Sequence, residues 1–304
     1  MNLTQLKRRL KKMDWQLLLI LLPGLIWIIM FAYVPMNGIR MAFYNYNAFK
    51  GFEGSTFVGL KNFQTLFTGA DFPRALKNTL IIGVLQLVIC FPFPIFLAIL
   101  INEVRIKWLG KLTQTLTFIP YFISTVVVVG MVVSFCSPST GIINLIITKL
   151  GGTPVYFLVQ SKYFRAIYII MTLWQSAGYN AVVYIAALAG IDRQLYEAAS
   201  VEGANRLQQI WHVTLPGLLP TIVVMLILNV GSIIKVGYEA IILLYQPSTY
   251  ETADVISTLT YRLGIGQNNF GLSTAAGLFE SLVALVLVLA TNHLSKKLAD
   301  SSVW

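Results

Sequence analysis

The chain has 304 residues, 57% hydrophobic and only 11% charged, with a formal net charge of +10. Its mean hydropathy is +0.73. A soluble domain carries about 25% charged residues, so most of this chain is solvated by lipid. The positive charge does not indicate nucleic acid, because the basic residues lie at the ends of apolar runs rather than in one patch.

In chain order, Leu3, Leu6, Leu10 and Met13 recur at helical spacing with Lys7, Arg8, Lys11 and Lys12 between them. Residues 1–14 therefore suit an amphipathic helix in the inner headgroup layer, or equally a basic tail that only fixes topology. A spanning helix needs about 20 mostly apolar residues. Six stretches qualify: 15–34, 75–101, 115–136, 164–190, 218–245 and 274–293. The first runs on to Val34-Pro35 with no small-x-small cleavage site, so it reads as an uncleaved span. In the second, Phe91-Pro92-Phe93-Pro94 predicts a bent or broken helix. The segments 35–74 and 137–163 are loops too short for a separate domain. Cys90 and Cys136 lie in apolar runs and are expected to be reduced and inert.

With the N-terminus inside, the segments 1–14, 102–114, 191–217 and 294–304 hold 12 Lys/Arg in 65 residues. The opposite segments hold 9 in about 100, and Lys235 is intramembrane. Both termini are therefore expected in the cytoplasm. The fold class is all-α: a single six-span domain, 15–304, with a cytoplasmic helix-loop-helix over 191–217 between spans 4 and 5.

That loop is polar and short. Asp192 can cap a helix over 193–202, and Gly203 suits a chain reversal. Residues 205–213 can form a second short helix, with Pro216 opening the fifth span. Ala198 and Ala199 leave room for a close partner. Leu195, Leu207, Ile210 and Trp211 offer apolar contact, and Glu197, Glu202 and Arg206 offer charge. These features suit a docking site for another protein, or an ordinary connection between spans.

The chain has no Gly-x-x-x-x-Gly-Lys-Ser/Thr loop, so it is not expected to hydrolyse ATP. His212 and His293 lack metal-ligand spacing, and no catalytic carboxylate pair or Ser/His/Asp set stands out. In the fourth span, Trp174, Tyr179, Asn180 and Tyr184 offer aromatic faces and hydrogen bonds suited to a sugar, although Trp and Tyr also anchor spans at interfaces. In the fifth, Lys235 and Glu239 are four apart, beside Tyr238. They either line a pathway, pair structurally, or snorkel.

Glu197-Ala198-Ala199, Gly203, Val213 and Leu215-Pro216 resemble the signature of permease subunits of ATP-binding-cassette (ABC) importers. Glu202 stands where an aspartate is commonest and Val213 where an isoleucine is; both changes are conservative. Tyr33-Val34-Pro35-Met36-Asn37-Gly38-Ile39, Val58-Gly59-Leu60-Lys61-Asn62-Phe63, Asn78-Thr79-Leu80, Leu97-Ala98-Ile99-Leu100-Ile101-Asn102-Glu103 and Gly141-Ile142-Ile143-Asn144 resemble the oligosaccharide and polysaccharide branch common in Gram-positive bacteria. So does Leu173-Trp174-Gln175-Ser176-Ala177-Gly178-Tyr179-Asn180. The resemblance covers nearly the whole chain.

It implies a multi-pass plasma-membrane permease, without its own ATPase site, in a heteromeric importer. Its partners would be a second permease chain, two cytoplasmic ATPase subunits that bind ATP and Mg, and an extracellular solute-binding lipoprotein. No cofactor or metal would be bound by this chain. Glu197, Ala198, Ala199, Glu202, Gly203, Arg206, Leu215 and Pro216 would carry coupling to the ATPase. Two other readings are a secondary transporter, or permease for a non-sugar solute, and a membrane enzyme acting on lipid-linked sugars. The signature disfavours the stand-alone transporter, and the missing catalytic groups disfavour the enzyme.

Overall fold

The computed structural model describes residues 15–234 and 236–299. The expected amphipathic segment 1–14 and Lys235 lie outside them. The described chain is mostly helical. Four helices are long and apolar enough to cross a bilayer: Leu19–Phe43, Asp71–Glu103, Arg206–Gly231 and Phe270–His293. A fifth arises if Lys107–Phe122 and Thr125–Phe135, which meet at a 98° bend, are taken as one span.

The helix Ser161–Ala189 is also long enough, at 29 residues. Its apolar character is diluted by Thr172, Gln175, Ser176 and Asn180.

One expectation about prolines is corrected. Pro92 and Pro94 do not break the second helix, because a wide turn over Gln86–Cys90 absorbs them and the helix runs on to Glu103. The sharp bend falls instead between Phe122 and Thr125, just after the tight turn Ile119–Phe122 that holds Pro120. The Thr117 backbone comes so close to the Ser161–Ala189 helix there that a Cβ at Gly178 would overlap the Thr117 carbonyl. Pro216 stands in the first turn of the helix Leu215–Ser232, as expected. A wide turn at Ile210–Thr214 lets one helix pass through it from Arg206 to Gly231. The fifth expected span, in contrast, stops at Ser232 and restarts as Tyr238–Leu244.

The segment after the first helix holds a hairpin, Tyr44–Asn47 paired with Gly51–Phe57, which an all-α reading did not include. Its rings pack on one another, Tyr44 against Phe52 and Phe57. The bundle thus has a hairpin end and a loop end. Glu103, Ala189 and Arg206 mark the loop end.

At the hairpin end the short helices between Pro247 and Gly266 leave backbone groups at their ends that need polar partners lipid cannot supply. Asn78 donates to the carbonyls of Tyr250, Glu251 and Asp254, and accepts from Arg165 at 2.8 Å. Asp254 has a fully buried side chain held by Arg262 at 2.7 and 3.1 Å, by Thr258 at 2.9 Å and by Arg74 at 3.5 Å. Burial works against the charge of Arg262, but its bonds to Asp254 outweigh that and raise its pKa.

Three apolar clusters fill the bundle. The first centres on Ile82, Phe164, Tyr168 and Ile241. The second holds Phe72, Ile256 and Leu259, and the third Ala98, Tyr184, Leu188 and Leu218. The first helix shares in none of these, and Leu19–Val34 is exposed throughout.

Candidate functional site

Two constructions stand out, a braced loop at one end and a polar cavity inside the bundle.

The loop is built from local rules. The Asp192 side chain accepts from Gln194 N at 3.0 Å and starts the helix Arg193–Val201. That helix ends in a Schellman turn. Gly203 N donates to Ser200 O and Ala204 N to Ala199 O, with Gly203 at φ +83°. Asn205 then opens the next helix with a capping box, its side chain accepting from Gln208 N at 3.0 Å while its own N–H donates to Gln208 Oε1 at 2.7 Å.

Side chains brace the two helices. Tyr196 Oη meets Thr214 Oγ1 at 3.1 Å, and Gln209 Nε2 donates to Ser200 Oγ at 2.9 Å. Arg206 reaches Glu103 at 3.2 Å on the neighbouring helix. No residue of Arg193–Val201 is buried. Leu195, Glu197, Ala198, Val201, Glu202, Gly203, Leu207 and Trp211 are all exposed, while Ala199 is half-buried and Leu215 and Pro216 lie in the helix behind. A braced helix-loop-helix that exposes leucine, valine and tryptophan at the end of a membrane bundle is suited to receive a protein groove.

The cavity, of about 340 Å³, lies between the second, fourth and fifth expected spans. Gln86, Tyr168, Thr172, Gln175, Ser176, Asn180, Asn229 and Glu239 line it. Thr172, Gln175, Ser176, Tyr179 and Asn180 follow the i, i+3, i+4, i+7, i+8 spacing that puts residues on one helix face. Some of their polar atoms are committed. Gln175 donates to Ile123 O at 3.0 Å, Ser176 to Thr172 O at 2.8 Å, and Gln86 to the Tyr168 hydroxyl at 3.3 Å. Asn180 makes no side-chain hydrogen bond among the described residues, and Glu239 forms no ion pair with them.

The residues singled out from sequence separate here. Asn180 and Glu239 line the cavity. Tyr179 lies beside them, half-exposed and stacked on Tyr121 with ring centroids 3.7 Å apart. Tyr238 packs against Tyr261. Trp174 faces away, between two apolar crevices. Tyr184 is buried in the third apolar cluster. Gln86, Thr172, Gln175 and Ser176 were missed, although the helical spacing of the last three with Asn180 was a usable signal.

Residues 90–300 match the family described as binding-protein-dependent transport system inner membrane component. The chain is 44% identical over 300 residues to the polygalacturonan/rhamnogalacturonan transport system permease protein YteP of Bacillus subtilis, covering 98% of this chain and 94% of that one. It is 29% identical to the arabinooligosaccharides transport system permease protein AraP of the same organism, over 81% of this chain and 77% of that one. Among solved structures, it resembles a chain of a bacterial alginate ABC transporter in complex with an alginate pentasaccharide-bound periplasmic protein. The TM-score is 0.91 at 47% identity, over 97% of this chain and 99% of that one.

Proposed function

The chain belongs to the binding-protein-dependent transport system inner membrane component family, and we propose that it couples a cytoplasmic ATPase to oligosaccharide import through the loop 191–217. It is a permease component of a carbohydrate ABC importer and has no ATPase site of its own. It works with a second permease, ATPase subunits and a solute-binding protein in the cell membrane.

In this reading the domain 15–304 crosses the membrane six times. The polar helix Ser161–Ala189 is the fourth crossing, tolerated because its polar face lines a cavity. Both termini and the loop end lie in the cytoplasm. One observation carries the coupling assignment: an exposed helix, fixed at both ends by caps and braced by Tyr196–Thr214 and Gln209–Ser200 onto the helix that enters the membrane. Such a helix transmits a push instead of absorbing it. Glu197, Ala198, Ala199, Glu202 and Gly203 form the seat for an ATPase groove. ATP and Mg bind on those partner subunits. Closure of the ATPases then rocks the half-transporters about the cavity.

The cargo is an oligosaccharide, and a uronate-bearing one fits the relatives named for polygalacturonan/rhamnogalacturonan and alginate transport. Asn180, Gln175, Ser176 and Glu239 offer hydrogen bonds to sugar hydroxyls, and the Tyr179–Tyr121 stack offers an aromatic face. Tyr238 adjoins Glu239 in sequence and packs against Tyr261. Trp174 and Tyr184 lie outside the cavity lining.

The test is Glu197→Lys in the assembled transporter, reading sugar uptake per ATP hydrolysed with oligogalacturonate and alginate oligosaccharide as probes. The expected result is a normal amount of complex with uptake lost. Wild-type uptake per ATP would refute the coupling role.

A further inference from the structure

We propose that Glu103 and Arg206 are a positioning pair that makes the Asp71–Glu103 helix follow the coupling loop; this rests on the ATPase-docking reading of that loop. Among the described residues, four of the five ion-pair contacts join Asp71, Arg74, Asp254 and Arg262 at the hairpin end. The fifth is Arg206 Nη1 to Glu103 Oε2, 3.2 Å apart at the loop end and 103 residues apart in sequence.

Each of these two charges sits at the unfavourable end of its own helix. Glu103 is the last residue of Pro92–Glu103, where carbonyl groups already concentrate negative charge, and no basic residue occupies that last turn. Arg206 is the first residue of the helix that runs to Gly231, where backbone N–H groups concentrate positive charge, and no acidic residue occupies that first turn. The helix dipole disfavours each one alone. Side by side they neutralise each other and both helix ends, so the pairing itself accounts for the two placements.

The side chains are 27% exposed for Glu103 and 65% for Arg206. An exposed pair of this kind adds little to folding stability, so its consequence is register rather than stability. The loop reaches the Arg206–Gly231 helix through the chain and through Tyr196–Thr214. Among the described residues, Arg206–Glu103 is the one polar side-chain contact between the loop and the Pro92–Glu103 helix. That helix continues back to Gly83, Gln86 and Cys90 on the cavity wall. The pair therefore closes a contact path from loop to cavity that bypasses the fifth expected span.

Native Cys90, half-buried on the cavity wall, serves as a reporter once Cys136 is replaced by serine. The transporter is assembled with its partner permease and ATPases, and maleimide labelling of Cys90 is timed with and without ATP-vanadate. The parent is expected to change its labelling rate about fivefold or more, the lower range of an allosteric coupling. Glu103→Arg and Arg206→Glu each shrink that change below about twofold, and the double swap restores it. An unchanged rate in the parent overturns the proposal, as does a swap no better than the single reversals. Loss with Arg206→Glu but not with Glu103→Arg overturns it too, and makes Arg206 an ATPase contact while the coupling reading stands. A full response in Glu197→Lys would instead sink the coupling reading.

Discussion

Gly203 allows the coupling turn to be perturbed with little else affected. It sits at φ +83°, and no atom outside its own chain neighbourhood lies within 4 Å of where a Cβ would stand. Alanine there meets no clash, so its cost is purely conformational, about 1–2 kcal/mol for a left-handed residue. Proline cannot reach that angle and also deletes the Gly203 N–H bond to Ser200 O. It therefore costs about 3 kcal/mol or more, all of it at the Schellman turn. The apolar clusters of the bundle are untouched, because Arg193–Val201 contributes no fully buried residue. The assay is uptake per ATP in proteoliposomes, alongside the amount of assembled complex. Gly203→Ala is expected to weaken coupling and Gly203→Pro to abolish it, both with normal membrane insertion. Gly151 is a matched control, with φ +85° and equally open space. Gly151→Ala pays the same backbone cost and leaves coupling unchanged. Wild-type coupling in Gly203→Pro, or equal loss in Gly151→Ala, would refute the reasoning.

Three more outcomes are expected. Asn180→Leu raises the KM for sugar in transport assays, while Trp174→Ala leaves it unchanged, because only Asn180 lines the polar cavity; the reverse ranking would redirect the pathway to the apolar face. Asp254→Asn strands Arg262 and Arg74 beside a neutral group and lowers stability by about 3–5 kcal/mol, read as a fall in the thermal midpoint in detergent. Gly178→Ala drives a methyl group into the Thr117 carbonyl and costs about 1–3 kcal/mol, read the same way.

What was legible in the sequence was mostly local. Asp192 and Gly203 act on backbone a few residues away, so their cap and turn follow from residue type and spacing. The Asn205–Gln208 capping box obeys the same kind of rule. The polar face of Ser161–Ala189 is also local: helical spacing groups Thr172, Gln175 and Ser176 with Asn180 along the cavity, whereas Trp174 and Tyr184, chosen as aromatics, lie outside its lining. Prolines were misleading. Pro92 and Pro94 follow a wide helical turn in an unbroken helix, whereas the 98° bend falls just after Phe122, where no proline stands. The Asp254 network joins residues far apart in the chain, such as Arg74 to Asp254 and Asp71 to Arg262, and no spacing rule reaches that far. The hairpin at Tyr44–Phe57 is held by its aromatic pairs in a segment whose turn residues read simply as loop.

The most direct test of the account is chemical cross-linking from Val201. This residue is 89% exposed at the end of the coupling helix, and Phe49, 98% exposed at the opposite end of the bundle, is its counterpart. Each is replaced by cysteine and carried into membranes with the whole transporter, and a short maleimide-amine cross-linker is added. Val201→Cys is predicted to capture the ATPase subunit, and Phe49→Cys is not. Capture from Phe49→Cys, or none from Val201→Cys in an intact complex, would contradict the account.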